Sequence, residues 1–154
     1  MIDKWSVRAP IETVYGVMAD LRTYTSWGKP TYVSCDAEGE PQVGRSAQLC
    51  IRGALPMQIT FRCEIVRLEP PNTIEIVASG DLIGRWVLRF DRGASGTDVH
   101  STWSIQPAKP VARFLEPLLK PLFAWNHHKA MERTYPGLQS FIDARLGQVP
   151  AAKS

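Results

Sequence analysis

The sequence is poor in the features that mark specialised chemistry. Cysteine occurs only three times, at Cys35, Cys50 and Cys63. An odd number at wide, irregular spacing fits no zinc ribbon, no CxxC pair and no closed disulfide framework. Three small apolar thiols, buried or half-buried in a reducing compartment, are expected instead. No apolar run approaches the ~20 residues of a membrane-spanning helix. The opening MIDKWSVRAP has no apolar run followed by small residues, so no secretory leader is expected and a cytoplasmic location is the default. Lysine and arginine form no run: 18 basic and 15 acidic residues give a formal net charge of +3 scattered along the chain. On that count neither nucleic acid nor an anionic membrane is expected as a partner. There is no GxSxG, no cysteine set with a histidine in a known pattern and no glycine-rich phosphate loop; GDLIGRW carries only two glycines. These absences leave the catalytic residues unknown and predict no metal and no cofactor.

What is present suits one globular domain. A chain of 154 residues buries roughly 68–70% of its unfolded surface and needs no disulfide or metal staple. The stretch KWSVRA alternates Trp5 and Val7 with polar residues and predicts a short strand. In APIETVYGVMADL, Pro10 sits where a helix tolerates it and Ile11, Val14, Tyr15 and Met18 form one helical face. A second short helix or turn, LRTYTSWG, runs to Gly28. Six strands are then predicted, joined by tight turns such as PPNT and RGASG. The clearest alternation places Met57, Ile59, Phe61, Cys63 and Ile65 on one face, with Gln58, Thr60, Arg62 and Glu64 on the other.

From Pro110 the apolar spacing becomes helical: Val111, Phe114, Leu115, Leu118, Leu119, Leu122, Phe123 and Trp125, then Met131, Leu138, Phe141 and Ile142. A proline inside a helix costs about 3 kcal/mol. A hinge or break is therefore expected at Pro117 and Pro121, with the main helix starting near Pro121, and a second bend at Pro136. The order is one strand, two short helices, six strands and a long helix. A sheet with one apolar face must be covered, and the last helix is the element long enough to cover it. One domain over residues 1–146 is expected, with residues 147–154 too polar to pack.

This order, with APIETVYGVMADLRTYTSW near its start, resembles the polyketide cyclase/dehydrase and lipid-transport branch of the START-like SRPBCC superfamily. Ala9, Pro10, Glu12, Val14, Tyr15, Asp20 and Trp27 match the family's opening pattern. Trp125, Asn126, His127, Met131, Gly137 and Leu138 match its last helix, and the resemblance spans roughly Trp5 to Leu146. Pro136 departs from the pattern, standing where the family helix usually runs on. The resemblance implies an α+β helix-grip fold: a curved antiparallel sheet of about seven strands wrapped on a long C-terminal helix. It says little about chemistry, because cyclases, hydrolases, lipid carriers and regulatory proteins share the scaffold.

The candidate residues follow from the alternation. Trp86 and Trp103 fall on neighbouring strands, with Leu88 and Ser101 on the same faces, and both are expected to look toward the last helix. With Phe61, and with Leu118, Leu122, Trp125 and Asn126 from that helix, they are the expected lining of a hydrophobic pocket. Adjacent residues on a helix point about 100° apart, so His127 and His128 cannot both face one ion. One is expected to pack or hydrogen-bond and the other to be solvated, with Trp125 and Asn126 nearer the interior. Arg62, Glu64, Arg85 and His100 sit on polar alternations and are expected on solvated faces, unless a bulge at Gly84 turns Arg85 inward. The functional expectation is a carrier or sensor of a small hydrophobic or amphipathic molecule such as a lipid, polyketide or aromatic metabolite. The alternative is a cyclase or dehydratase acting in the same cavity, with Arg62, Arg85, His100 and His127 as its candidate polar groups. A homodimer is compatible with either.

Overall fold

The structure is a computed structural model that describes residues 2–29, 31–52, 58–108, 110 and 114–147. Strand β1 (Ile2–Val7) leads into α1 (Ile11–Ala19), a 3-10 turn (Leu21–Thr23) and the short α2 (Tyr24–Trp27). Six strands follow: β2 (Tyr32–Cys35), β3 (Ser46–Arg52), β4 (Gln58–Glu69), β5 (Thr73–Gly80), β6 (Leu82–Arg92) and β7 (Thr97–Pro107). The last element is α3 (Glu116–Gly147). The sheet is antiparallel, in the order β1-β7-β6-β5-β4-β3-β2, and it curls into a half-barrel. This is the helix-grip arrangement the sequence predicts.

Alternation decides what faces inward, because successive side chains of a strand point to opposite sides. On β4 the inner residues are Ile59, Phe61, Cys63 and Ile65, the last three buried. Register carries that face across the sheet: Cys63 stands opposite Ala78, Ile76 opposite Trp86, Trp86 opposite Trp103 and Asp3 opposite Ser101. The cysteines are free, Cys63 buried and Cys35 and Cys50 half-buried. Met57 and Val111, expected on apolar faces, lie outside the described residues.

α1 buries the predicted face of Ile11, Val14, Tyr15 and Met18. The Asp20 side chain ends it and starts the next turn by accepting a hydrogen bond from the Arg22 backbone N–H at 3.1 Å, satisfying a donor that helix geometry leaves unpaired.

α3 is continuous from Glu116 to Gly147, with Pro121 and Pro136 inside it. The expected division into two pieces at Pro121 does not occur, and Pro117 sits in the first turn, where its missing N–H costs no hydrogen bond. Its second half is anchored by the buried line Ala130, Met131, Thr134, Leu138 and Ile142. A Cβ at Gly137 would lie 2.1 Å from the Trp27 carbonyl oxygen, so only glycine admits this approach of α2 to α3. The Thr31 and Thr134 hydroxyls lie 2.8 Å apart, within 3.2 and 2.7 Å of the Ala130 carbonyl. The Gln139 amide accepts from the Arg8 N–H at 2.8 Å and donates to the Arg8 carbonyl at 3.3 Å. The first half differs: Pro117, Leu118, Lys120, Pro121, Leu122, Ala124 and Trp125 are all exposed. The second half of the helix is the packed half, held to α2 and to the turns after β1 and α2.

Candidate functional site

The middle of α3 meets the sheet at a train of rings. Trp86 and Trp103 stack with centroids 4.2 Å apart and planes 15° apart. Tyr24 meets Trp86 edge-on at 6.0 Å on one side, and His127 meets Trp103 edge-on at 5.5 Å on the other. Buried indoles need a partner for their N–H, and Trp86 finds one in the Ser101 hydroxyl at 2.8 Å. Ser101 is an inner-face residue of β7, opposite Asp3 of β1.

Asp3 is the counterpart of His127. Its Oδ2 lies 2.6 Å from His127 Nε2, and the two side chains are only 11% and 14% exposed. An ionised carboxylate only accepts, so the donor to it in this bond is a ring N–H at Nε2. Beside this pair Trp5 and Tyr135 stack with centroids 3.9 Å apart. The Trp5 Nε1 and Tyr135 Oη atoms are buried and have no hydrogen-bond partner among the described residues. Burial, followed by the charge of Asp3, pushes the Tyr135 phenol well above its ordinary range. A half-buried carboxylate, an imidazole and two buried polar atoms thus line the seam between β1 and α3.

The nine residues predicted from sequence divide into two groups. Phe61, Trp86, Leu88, Ser101 and Trp103 share the inner face of the sheet and are all buried. Asn126 is half-buried on α3. Leu118, Leu122 and Trp125 are 77%, 43% and 49% exposed, and the structure does not bring them to the first group. Helix phase explains this: at about 100° per residue they lie opposite the line of Thr134 and Leu138, on which His127 falls. The expectation that Trp125 lies deeper than the histidines is therefore corrected. His127 points in, and His128 is exposed beside Glu132 at 3.1 Å, the division of roles expected for one of the pair.

Among the other polar candidates, Arg62 and Arg85 are exposed on the outer face. Pairing through Gly84 is regular on both sides, so no bulge turns Arg85 inward. It pairs with Glu75 on the outer face instead. His100 lies 3.6 Å from Asp91 on that same face. Sequence reasoning missed Asp3, although its parity with Trp5 and Val7 on β1 marks it as inward. No group of three or more metal-ligating side chains occurs among the described residues.

Three of the surface clefts among the described residues are lined by none of the nine. One of about 570 Å³ lies between α1, the 3-10 turn and the end of α3, lined by Tyr15, Asp20, Arg22, Leu68 and Arg145 among others. The second lies at the Ala9–Glu12 and Arg92–Gly96 turns, and the third on the outer face around Asp36, Arg45 and Arg62. At the end of the sheet where β7 exits toward α3, the inner-face residues Ile51, Ile59, Leu82 and Ile105 are only partly buried.

Residues 4–134 match the family described as polyketide cyclase / dehydrase and lipid transport. The chain belongs to this family. Solved structures share its fold. A protein of Thermus thermophilus superposes with a TM-score of 0.79 at 18% identity, over 94% of this chain and 97% of that one. A Staphylococcus aureus protein of unknown function gives 0.68 at 11%, over 96% and 95%. A Chromobacterium violaceum protein gives 0.64 at 18%, over 92% and 95%. At such identities the likeness is one of fold. A comparison with curated sequences finds no match. Among the described residues, no helix of this polyketide cyclase/dehydrase family member is long and apolar enough to cross a membrane.

Proposed function

We propose that the protein binds a small amphipathic molecule between its sheet and α3, as a carrier or sensor. The hydrophobic body would lie against Trp103 and Phe61, over the partly covered Ile51, Ile59, Leu82 and Ile105. Trp86, Leu88 and Ser101 would form the layer behind. The polar end would meet Asn126 and the Asp3–His127 pair. One observation carries this reading: a half-buried acid–imidazole pair, its His127 ring edge-on to Trp103, stands beside a stacked tryptophan wall in a seam lined mainly by aromatic rings. Placing charge there is costly unless it is used or well paired. A helix anchored along one half supplies the way in, since the other half can lift without breaking the Thr31, Arg8 and Trp27 contacts.

The test is ligand-dependent stabilisation of the purified protein, read as a thermal shift and by native mass spectrometry against fatty acids, polyketide-like aromatics and lipids. A ligand at 100 times its Kd adds about 2.7 kcal/mol of stability. His127→Ala should weaken a ligand with a polar head and leave a purely apolar one unchanged. No stabilising ligand from any class, with no co-purifying small molecule, would overturn the reading.

A second reading, a cyclase or dehydratase, is favoured by the same 2.6 Å pair, because a carboxylate that orients an imidazole makes it an effective acid–base group. The two readings separate on His127→Ala. An enzyme loses turnover by 10²-fold or more, on the order of a general base's contribution, while its affinity for the bound molecule changes little. A carrier loses affinity and shows no turnover.

A further inference from the structure

The outward face of α3 carries a second apolar feature that the ligand seam does not use. Phe114, just before the helix, is 85% exposed, and Leu118, Leu122 and Trp125 continue from it at intervals of four, four and three. Within the helix, these intervals keep Leu118, Leu122 and Trp125 within about 60° of one another at 3.6 residues per turn. They form one stripe, turned away from the line of His127, Thr134 and Leu138. Single exposed apolar side chains are ordinary, but a contiguous row marks an interaction site.

Charge decides what the stripe meets. Over the whole chain the basic surplus looks diffuse, yet the sequence from 109 to 129 holds Lys109, Arg113, Lys120 and Lys129 against Glu116 alone. That surplus equals the formal +3 of the entire chain. A second copy of the chain would bring the same basic segment against its own kind. An anionic lipid surface would be attracted instead. Lys129 stands in phase with the stripe at its end and pairs with Glu132 at 3.1 Å, while Lys120 is exposed on the opposite side. Leucine, phenylalanine and tryptophan on one face, with a lysine at its end and a net positive segment around it, is the pattern of a helix that lies in the plane of a bilayer interface.

We propose that the first half of α3 docks peripherally on anionic lipid surfaces, with Phe114, Leu118, Leu122 and Trp125 entering the interface. The empty protein can do this, so the docking does not depend on the ligand reading.

Flotation with vesicles tests it. The full chain should float with mixed phosphatidylserine–phosphatidylcholine vesicles and bind phosphatidylcholine alone about tenfold or more weakly, with raised salt also weakening binding. The paired variant Leu118→Asp, Trp125→Asp should bind the anionic vesicles about tenfold or more weakly, with an unchanged unfolding midpoint. Should that variant fold poorly, brominated phosphatidylcholine in the anionic vesicles gives an independent reading: it should quench the wild-type fluorescence more than that of Trp125→Phe. Equal flotation of wild type and a folded paired variant, or equal quenching of wild type and Trp125→Phe, would overturn the proposal. So would a wild-type dimer that the variant dissolves without any vesicle binding.

Discussion

His127 Nε2 lies 2.6 Å from Asp3 Oδ2, which ties the middle of the last helix to the first strand across 124 positions of sequence. Both side chains are largely withdrawn from water, so removing one leaves the other buried without its partner. His127→Ala should cost about 1–3 kcal/mol of unfolding free energy, the usual penalty for such an orphaned group. Asp3→Asn keeps an acceptor for Nε2–H and should cost less. Denaturant unfolding of His127→Ala, of Asp3→Ala and of the double variant carrying both gives their coupling, expected at about 0.5–3 kcal/mol. Additive single effects would mean that the two groups do not act as a pair.

Two glycines in helices should respond to alanine in opposite directions. Alanine is the better helix former by about 1 kcal/mol, and at exposed Gly16 of α1 nothing lies within 4 Å of the added methyl. Gly16→Ala should therefore stabilise the domain by up to about 1 kcal/mol. At Gly137 the methyl would meet the Trp27 carbonyl oxygen, part of a backbone held by the Thr31 contacts just beyond it. Gly137→Ala should destabilise by about 1–3 kcal/mol despite its better propensity. Thermal unfolding of the two variants checks both signs, and a stabilising Gly137→Ala would refute the close approach.

The three thiols should differ in reactivity. Burial pushes the Cys63 thiol up to about 12, with Cys35 adding to the effect. The thiolate is the reactive form, and near pH 8 it would be roughly one part in ten thousand at such a site. Cys35 is also raised, chiefly by burial. In the folded protein iodoacetamide should modify half-buried Cys50 first and Cys63 last, with all three equalised in denaturant. Peptide mass mapping over a time course reads the order, and early loss of Cys63 would contradict its burial.

Much of this architecture is legible in the sequence, because period alone identifies the inner face of β4 and the apolar line of α3. The site is less legible for two reasons, each visible in named residues. Hydrophobicity alone argues for Trp125 inward, whereas the phase set by Met131, Thr134, Leu138 and Ile142 gives the inward position to His127. Asp3 carries the right parity on β1, but a carboxylate on an inner face looks like an exception until its partner from α3 is seen. The prolines are a different case, since the expected division into two pieces is the part that does not occur. Pro117 falls in a first turn where proline is tolerated, and α3 carries Pro121 and Pro136 without ending. Burial of its later residues supplies stability that propensity alone does not register.

The join between α1 and the 3-10 turn makes a pH-dependent prediction. Arg22 donates to Asp20 through Nε and Nη2, each at 2.8 Å. These bonds, ahead of the opposing effect of burial, hold the Asp20 carboxyl below its usual range. A carboxyl whose folded-state value is depressed binds its proton more readily once unfolded. Its contribution to stability is therefore complete above the unfolded value, about 3.9, and is lost as pH falls through the lower folded value. Asp20→Asn cannot ionise, so it should be less stable than wild type near neutrality and nearly equal to it once the pH is below the folded value, where the wild-type carboxyl is protonated in both states. Denaturant unfolding of both proteins across that range gives the curve. A gap that stays constant into acid would show that the Asp20 charge contributes nothing and that only its shape is used.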